Sequence, residues 1–528
     1  MLVKKAMNID FNDIQFYPPL IKDYLNGTLR EQSIINWDYS TDSILKKSSA
    51  RNFKSRKILV KQLQVQNKGI VLTNESSTNI EKLSKENTFT VCTGHQLCIY
   101  GGPAYFYSKI LDVIKLVNEL NGKQSNNHYV PVFWLASEDH DFEEISQLNL
   151  FNSALKWENN SKGGVGQINT ESLKELHTQF CEIVGKGTKA ENLINIFNQA
   201  YSSGKNLAEA TRHFVNSVFG QNGLVIIDGN DTELKQLLSP VVSKEIKNSI
   251  TESIVNQSID TLHKYKIQVK PRTINLFYFA ENYRERLLVK DDHIFTVDNK
   301  HSWTIKDFLE LTIKHPERIS PNVLLRPVYQ ELCLPNVAYI GGAGEISYWL
   351  ELPQLFKALA IPFPLPVVRN SYLYLTEKQL NKISALGLKP ADLYLEEGLL
   401  IKKHLEQTSS NKFDLLQEKE DLERLFNKIQ SKSEVIDKDL TKVVSGELKR
   451  SLSAMDNMEK RFRNAEKNKN TAKTNQIIKL KAVAYPNNVY QERTKSFLEF
   501  DLQTDIALTD VTLSANIPLD NSIKVVVY

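Results

Sequence analysis

The chain has 528 residues, too many for one compact core, and its 41% hydrophobic and 24% charged residues exclude wholesale disorder. A formal net charge of +4 leaves no basic surplus for a nucleic-acid partner, and no run of about 20 apolar residues offers a membrane span. Four cysteines (Cys92, Cys98, Cys181, Cys333) do not make a disulfide framework; with an N-terminus that lacks an apolar targeting run, they predict a cytoplasmic protein.

Residues 1–88 are mixed in character. Lys46, Lys47, Arg51, Lys54, Arg56 and Lys57 fall in a helical segment and read as a solvated face rather than a phosphate contact. A β-rich run follows at 88–92, bounded by Gly94. From Pro103 onwards Ala104, Tyr107, Ile110, Leu111, Ile114 and Val117 recur at helical spacing. Proline suits a first helical turn, where its missing N–H has no intrahelical partner. The next strand is expected over 129–136, and a third over 223–228, ending in the turn Gly229-Asn230-Asp231.

Insertions are expected over about 151–220 and about 235–320, the second with strands of its own such as 274–279. A fourth core strand is predicted over 335–340, feeding a helix through Tyr348, Trp349 and Leu352, and a last one near 366–369. Strands alternating with helices predict an α/β fold, a doubly wound parallel sheet within residues 1–375.

Residues 376–482 read as a helical domain. Between 411 and 470 there is no Pro and one Gly, Gly446, and Leu415, Leu422, Ile429, Ile436 and Val443 recur every seven residues. Leu425, Phe426, Leu440 and Leu448 partly fill the second seam of this coiled-coil pattern. So narrow an apolar seam needs a mate, either its own hairpin partner or the second subunit of a homodimer. Residues 483–528 return to turn and strand signals and are expected to pack back on the main body.

Chemistry concentrates where strands end, the edge at which open α/β sheets bind ligands. Thr93, Gly94, His95 and Gln96 combine close backbone approach with side chains that hydrogen-bond anionic oxygens. Gly101 and Gly102 stand before Pro103, where the N–H groups of a helix start suit phosphate. The plainer alternative is a tight turn with a hydrogen-bonded histidine.

Ser137, Glu138, Asp139, His140 and Asp141 form a second loop. Crowded carboxylates hold a proton or a divalent cation, and histidine titrates near neutrality. General-base work on an amine and Mg²⁺ beside a nucleotide both suit this set. An acidic helix start would account for Asp141, Glu143 and Glu144, less easily for His140.

Gly341, Gly342, Ala343, Gly344 and Glu345 make another glycine-rich strand-to-helix turn, without the spacing of the dinucleotide fingerprint. Glu345 suits a substrate ammonium or a ribose hydroxyl, and equally a helix start. Arg326, with Gln330 nearby, is a natural partner for a carboxylate or phosphate; a surface ion pair is its duller use. The cysteines match no zinc spacing and read as core residues. Arg493-Thr494-Lys495-Ser496 only loosely suggests a phosphate-handling lysine loop.

Several of these stretches together resemble the BshC family, the cysteine ligases of bacillithiol biosynthesis. They are Thr93-Gly94-His95-Gln96, Gly102-Pro103, Lys109, the block 131–144, the stretch 326–349, Tyr485-Pro486-Asn487-Asn488 and Gln491-Glu492-Arg493. The resemblance implies a Rossmann-like core akin to class I aminoacyl-tRNA synthetases and nucleotidylyltransferases, with connecting insertions and a coiled coil that mediates dimerisation. It implies amide formation between the cysteine carboxyl and the amine of glucosaminyl-malate, with ATP as expected energy donor and Mg²⁺ as its companion.

On that footing Thr93, Gly94, His95, Gln96, Gly101, Gly102 and Lys109 would hold phosphates. Asp139, His140, Asp141 and His95 would carry catalysis, with Asp139 or His140 deprotonating the amine. Ser137, Glu138, Arg326, Gln330, Gly341, Gly342, Gly344, Glu345 and Tyr348 would bind substrates. One departure is His95, where the family tetrapeptide is Thr-Gly-Gln-Gln; another is the lack of a clear lysine loop. Two rival classes stand beside the ligase: a metal-dependent hydrolase using His95, Asp139, His140 and Asp141, and a non-catalytic nucleotide-binding coiled-coil scaffold.

Overall fold

Five parallel strands form the central sheet: β1 (Thr88–His95), β2 (His128–Leu135), β3 (Val225–Asp228), β4 (Asn336–Gly341) and β5 (Leu365–Val368), in the order β5-β4-β1-β2-β3. Each is buried on both faces, as strands covered by helices on either side must be. Phe89, Val91, Tyr129, Val337, Ile340, Leu365 and Val367 pack with Val113, Leu116, Val117 and Leu120 of the Tyr105–Gly122 helix in one buried cluster. The chain moves outward in one direction through β1, β2 and β3, then returns to the other side of β1 for β4 and β5. The strand order therefore reverses between β1 and β4, the point at which a doubly wound sheet opens a crevice at its carboxyl edge.

The computed structural model describes residues 7–11, 14, 17–123, 126–202, 205–408, 415–469 and 471–528. They fall into two compact units, 1–373 with 492–526 and 528, and 374–491 with 527. The first unit holds the parallel sheet and the segments inserted into it. Between β2 and β3 lie the short helix Phe142–Ile145, a hairpin (Gln147–Leu150, Ser153–Lys156) and three longer helices, Lys174–Val184, Thr188–Ala200 and Leu207–Phe219. Between β3 and β4 lies an antiparallel five-stranded sheet, in the order Ser302–Thr304, His293–Thr296, Tyr283–Lys290, Leu276–Ala280, Ile319–Pro321.

Two boundaries differ from expectation for a physical reason. β1 continues to His95 because Thr93, Gly94 and His95 pair with Phe133, Trp134 and Leu135. The following helix starts at Tyr105, not at Pro103: Ile99–Gly101 first makes a 3-10 turn, and the Ala104 N–H donates to the Lys495 carbonyl at 2.8 Å.

The second unit is helical throughout most of its length. Leu416–Ile436 and Leu440–Lys469 run antiparallel, tied by Lys419 to Asp456 (2.7 Å) and Glu459 (3.1 Å) and by Gln430 to Ser445 (3.4 Å). The heptad run crosses the turn between these helices, so Ile436 and Val443 belong to different arms of the hairpin. Leu425, Ile429, Val443, Met458 and Phe462 remain exposed. No helix among the described residues is long and apolar enough to cross a membrane.

Candidate active site

A cleft in the first unit opens at the carboxyl ends of β1 and β4 and has two connected lobes. The inner lobe, a cavity of about 280 Å³, is lined by residues of the first and third predicted turns, with Ala136 and Glu144 from either side of the second. The outer lobe, about 420 Å³, lies against the inserted antiparallel sheet. Gln96, Arg326, Glu345 and Tyr348 line both.

In the inner lobe Lys109 reaches back from the helix after β1. Its buried ammonium donates to Gly94 O (2.9 Å) and pairs with Glu345 (2.7 Å), whose Oε2 also accepts the Gly342 N–H at 2.7 Å. Burial lowers the Lys109 pKa, and Glu345 works against that shift. His95 packs between Tyr105 and Phe106, with Nδ1 3.0 Å from Gln96 O. A carbonyl only accepts, so the proton belongs on Nδ1 and Nε2 keeps its lone pair. Burial, then Lys109, pulls the ring down to about 3, so His95 stays neutral. At the far end Arg369, paired with Glu492 at 2.8 Å, and Arg493 stand over the Tyr105 ring, 5.2 and 5.9 Å from its centroid.

Asp139 is the hinge of the outer lobe. It accepts from Gln96 Nε2 (2.8 Å), Arg326 (3.4 Å) and the His140 N–H (2.8 Å), with Arg284 at 3.8 Å. Burial opposes its charge but is outweighed by the adjoining His140 and by Arg326 and Arg284, which hold the carboxyl well below the usual range. Arg284 lies 3.9 Å over the Phe277 ring and places Nη1 2.6 Å from His140 Nδ1. A guanidinium has only donors, so His140 Nδ1 must accept and Nε2 carries the proton. Burial, then the neighbouring Arg326, lowers Arg284 to about 10.

Ten predicted residues line the inner lobe: Gly94, His95, Gln96, Lys109, Arg326, Gln330, Gly342, Gly344, Glu345 and Tyr348; Asp139 and His140 line the outer one. The others serve the scaffold. Thr93 does not face phosphate, because its buried hydroxyl donates to Ile340 O at 2.7 Å inside the sheet. Gly101 and Gly102 offer no free N–H groups; these donate to Cys98 O (3.1 Å) and Ile99 O (2.9 Å).

Ser137 and Glu138 are not substrate contacts either. The Ser137 hydroxyl donates to the Asp228 carboxylate, and Glu138 forms a buried pair with Lys235 at 2.6 Å. Asp141 caps the short Phe142–Ile145 helix by accepting the Glu144 N–H, which is the plainer reading of that acidic run. Gly341 ends β4 with its backbone close under Glu345. As bases, Asp139 is too strongly held as an anion and His140 has its lone pair engaged by Arg284.

Reading by sequence missed Tyr105, Glu144, Arg369 and Arg493 as cleft residues. Arg369 ends a predicted core strand, so the carboxyl-edge rule would have found it. Tyr105 carries no such signal, and Arg493 falls only in the loosely suggestive string Arg493-Thr494-Lys495-Ser496 and the family stretch Gln491-Glu492-Arg493. Burial, then Asp141 and Asp139, raises the Glu144 carboxyl at the cleft mouth.

The family described as bacillithiol biosynthesis BshC, N-terminal Rossmann-like domain, matches residues 5–370, and that of the BshC C-terminal coiled-coil domain matches 372–528. The chain belongs to the BshC family. Among its relatives, a protein of Flavobacterium johnsoniae named "Putative cysteine ligase BshC" is 37% identical, covering 98% of this chain and 99% of the relative. Proteins of the same name from Christiangramia forsetii and Flavobacterium psychrophilum are 35% and 36% identical, covering 98% and 93% of both partners. The Rossmann-like core with a helical coiled-coil region is thus shared along the whole length of this BshC-family chain.

Proposed function

We propose that this chain is a ligase of bacillithiol biosynthesis that joins the carboxyl of L-cysteine to the amine of glucosaminyl-malate. One observation carries the reading beyond kinship. Three turns far apart in sequence line one cleft, in which His95 Nε2, Gln96 Oε1, Gln330 Nε2 and Arg369 Nε are buried without hydrogen-bond partners among the described residues. Orphaned polar atoms at about 1–3 kcal/mol each are a standing cost that a polar ligand relieves.

Glu345, fixed by Lys109 and the Gly342 N–H, offers a carboxylate to a substrate ammonium. Arg326, steadied by Asp139 at the junction of the lobes, neutralises the oxyanion that develops as the amine attacks the carboxyl carbon. Glu144, with its raised pKa, takes the proton that the amine loses. His95 presents a lone pair to a donor on the substrate.

Amide formation needs an energy donor, which we assign to ATP; it supplies the leaving group when bound. Arg369 and Arg493, both over the Tyr105 ring, would hold its phosphates, and the orphaned Arg369 Nε fits that use. The acidic loop does not fit Mg²⁺: Asp139 stands between two guanidinium groups, and Glu138 and Glu345 are each paired with a lysine. Nor do the hydrolase ligands converge; among the described residues no group of three His, Cys, Asp or Glu side chains is placed to hold a metal.

The exposed apolar side chains of the helical hairpin favour a homodimer built through it, and we assign the enzyme to the cytoplasm. Incubation with ATP, cysteine and glucosaminyl-malate, followed by mass analysis of thiol product and nucleotide, tests the reaction. The amide should form, and Arg326→Gln should lower its rate by about 10²–10³. No turnover in any mixture would favour the scaffold.

A further inference from the structure

We propose that the outer lobe is a seat for a compact dianion, the end of the amine acceptor remote from its reacting nitrogen; this rests on the ligase reading above. Five cationic side chains line that lobe, Lys270, Arg272, Arg284, Arg286 and Arg326, against two carboxylates, Asp139 and Glu345. Both carboxylates are spoken for: Asp139 holds Arg284 and Arg326, and Glu345 holds Lys109. Among the described residues no carboxylate pairs with Lys270, Arg272 or Arg286, and Arg286 Nε is buried without a hydrogen-bond partner.

The fold forces these like charges together. Arg284 and Arg286 are two apart on the strand Tyr283–Lys290, so both project from the same face. Arg272 is presented by the turn before Leu276–Ala280, where its N–H donates to Asn275 Oδ1 at 3.2 Å. Asn275 is itself bound to the buried Glu245 through its backbone N–H and its Nδ2, each at 2.9 Å, so the turn is a rigid platform. Arg272 is lowered by burial and then by Arg286, which reflects this crowding.

Guanidinium groups crowded against a pocket of about 420 Å³, with no acid to answer them, are stabilised by an anion that takes two at once. Phe277, Ile274 and Leu276 supply an apolar floor, which suits a small organic dianion. Its position across Gln96, Arg326, Glu345 and Tyr348 from the inner lobe would leave the acceptor's amine directed at the activated carboxyl.

Calorimetric titration of the full chain with L-malate, and with inorganic pyrophosphate as the rival polyanion, tests this without any turnover. L-malate should bind, and Arg272→Gln and Arg286→Gln should each weaken it by roughly tenfold, with unchanged melting temperature. Arg493→Gln in the inner lobe should leave that affinity alone. In the amide-forming assay the two outer-lobe variants should raise KM for the acceptor and leave KM for cysteine unchanged. The proposal is overturned if L-malate does not bind, if both variants bind it as wild type does, or if pyrophosphate occupies the lobe in preference. A chain that binds L-malate as stated yet forms no amide would refute the ligase reading alone.

Discussion

The loops that leave β1 and β2 carry similar chemistry but are held in different proportions. The first, from His95 to Pro103, is held largely by its own backbone, Cys98 N–H donating to Gln96 O (2.9 Å), Gly101 to Cys98 and Gly102 to Ile99, with one outside backbone bond from Tyr100 N–H to the Tyr201 hydroxyl (2.9 Å). The second, from Ala136 to Asp141, is clasped by segments inserted later in the chain. Glu138 pairs with Lys235, the Ser137 hydroxyl donates to Asp228, and the N–H groups of Val165 and Gly166 donate to Asp139 O (2.6 Å) and Ser137 O (2.8 Å). The lesson is that the insertions are the mounting of half the cleft.

The sharpest way to break this contrast is at Lys235. Lys235→Ala leaves Glu138 as a buried charge without its partner, and should cost roughly 3–5 kcal/mol in denaturant unfolding, with loss of amide formation. A loss below about 1 kcal/mol would mean that the second loop is held by its backbone bonds, as the first is.

Gly166→Ala is a milder probe of the same clasp. Its added methyl would stand 2.5 Å from Ser137 Cβ and 2.9 Å from Ser137 O, so the loop must yield. The expected cost is about 1–3 kcal/mol, with turnover falling more than stability predicts. Wild-type kinetics in this variant would show that the loop tolerates displacement.

The smallest effect sharpens the first loop. His95 stays neutral in the folded chain down to about pH 3, while an unfolded histidine gains a proton below 6.5. The unfolded state then binds more protons, so stability is fully present above pH 6.5 and drains away as pH falls towards 3. The slope from this one group is at most about 1.4 kcal/mol per pH unit. His95→Gln, the residue of the family tetrapeptide, should flatten that part of the stability profile; an unchanged slope would place the acid sensitivity elsewhere.

Much of this was legible beforehand where physics is local. The runs at 88–92 and 129–136 are apolar and β-branched or aromatic enough to be read as buried strands, and glycine marked the turns after them. What the chain does not display is partnership across distance. Glu138 looks like a substrate ligand until Lys235 is seen beside it, and Gly101-Gly102 looks like an anion cradle until its N–H groups are found spent on a 3-10 turn. The heptad run likewise conceals a reversal, since periodicity alone does not say where a helix folds back.

The pair between Arg369 and Glu492 has a consequence for biogenesis. Arg369 is made before the helical unit and Glu492 after it, as are Lys495, which caps the helix behind β1, and Arg493 over Tyr105. On the ribosome, the arm must therefore emerge while the catalytic body still awaits its final contributors. A nascent chain that ends within the helical unit therefore has the five-stranded sheet and the cleft residues up to Arg369, but still lacks Glu492, Arg493 and Lys495.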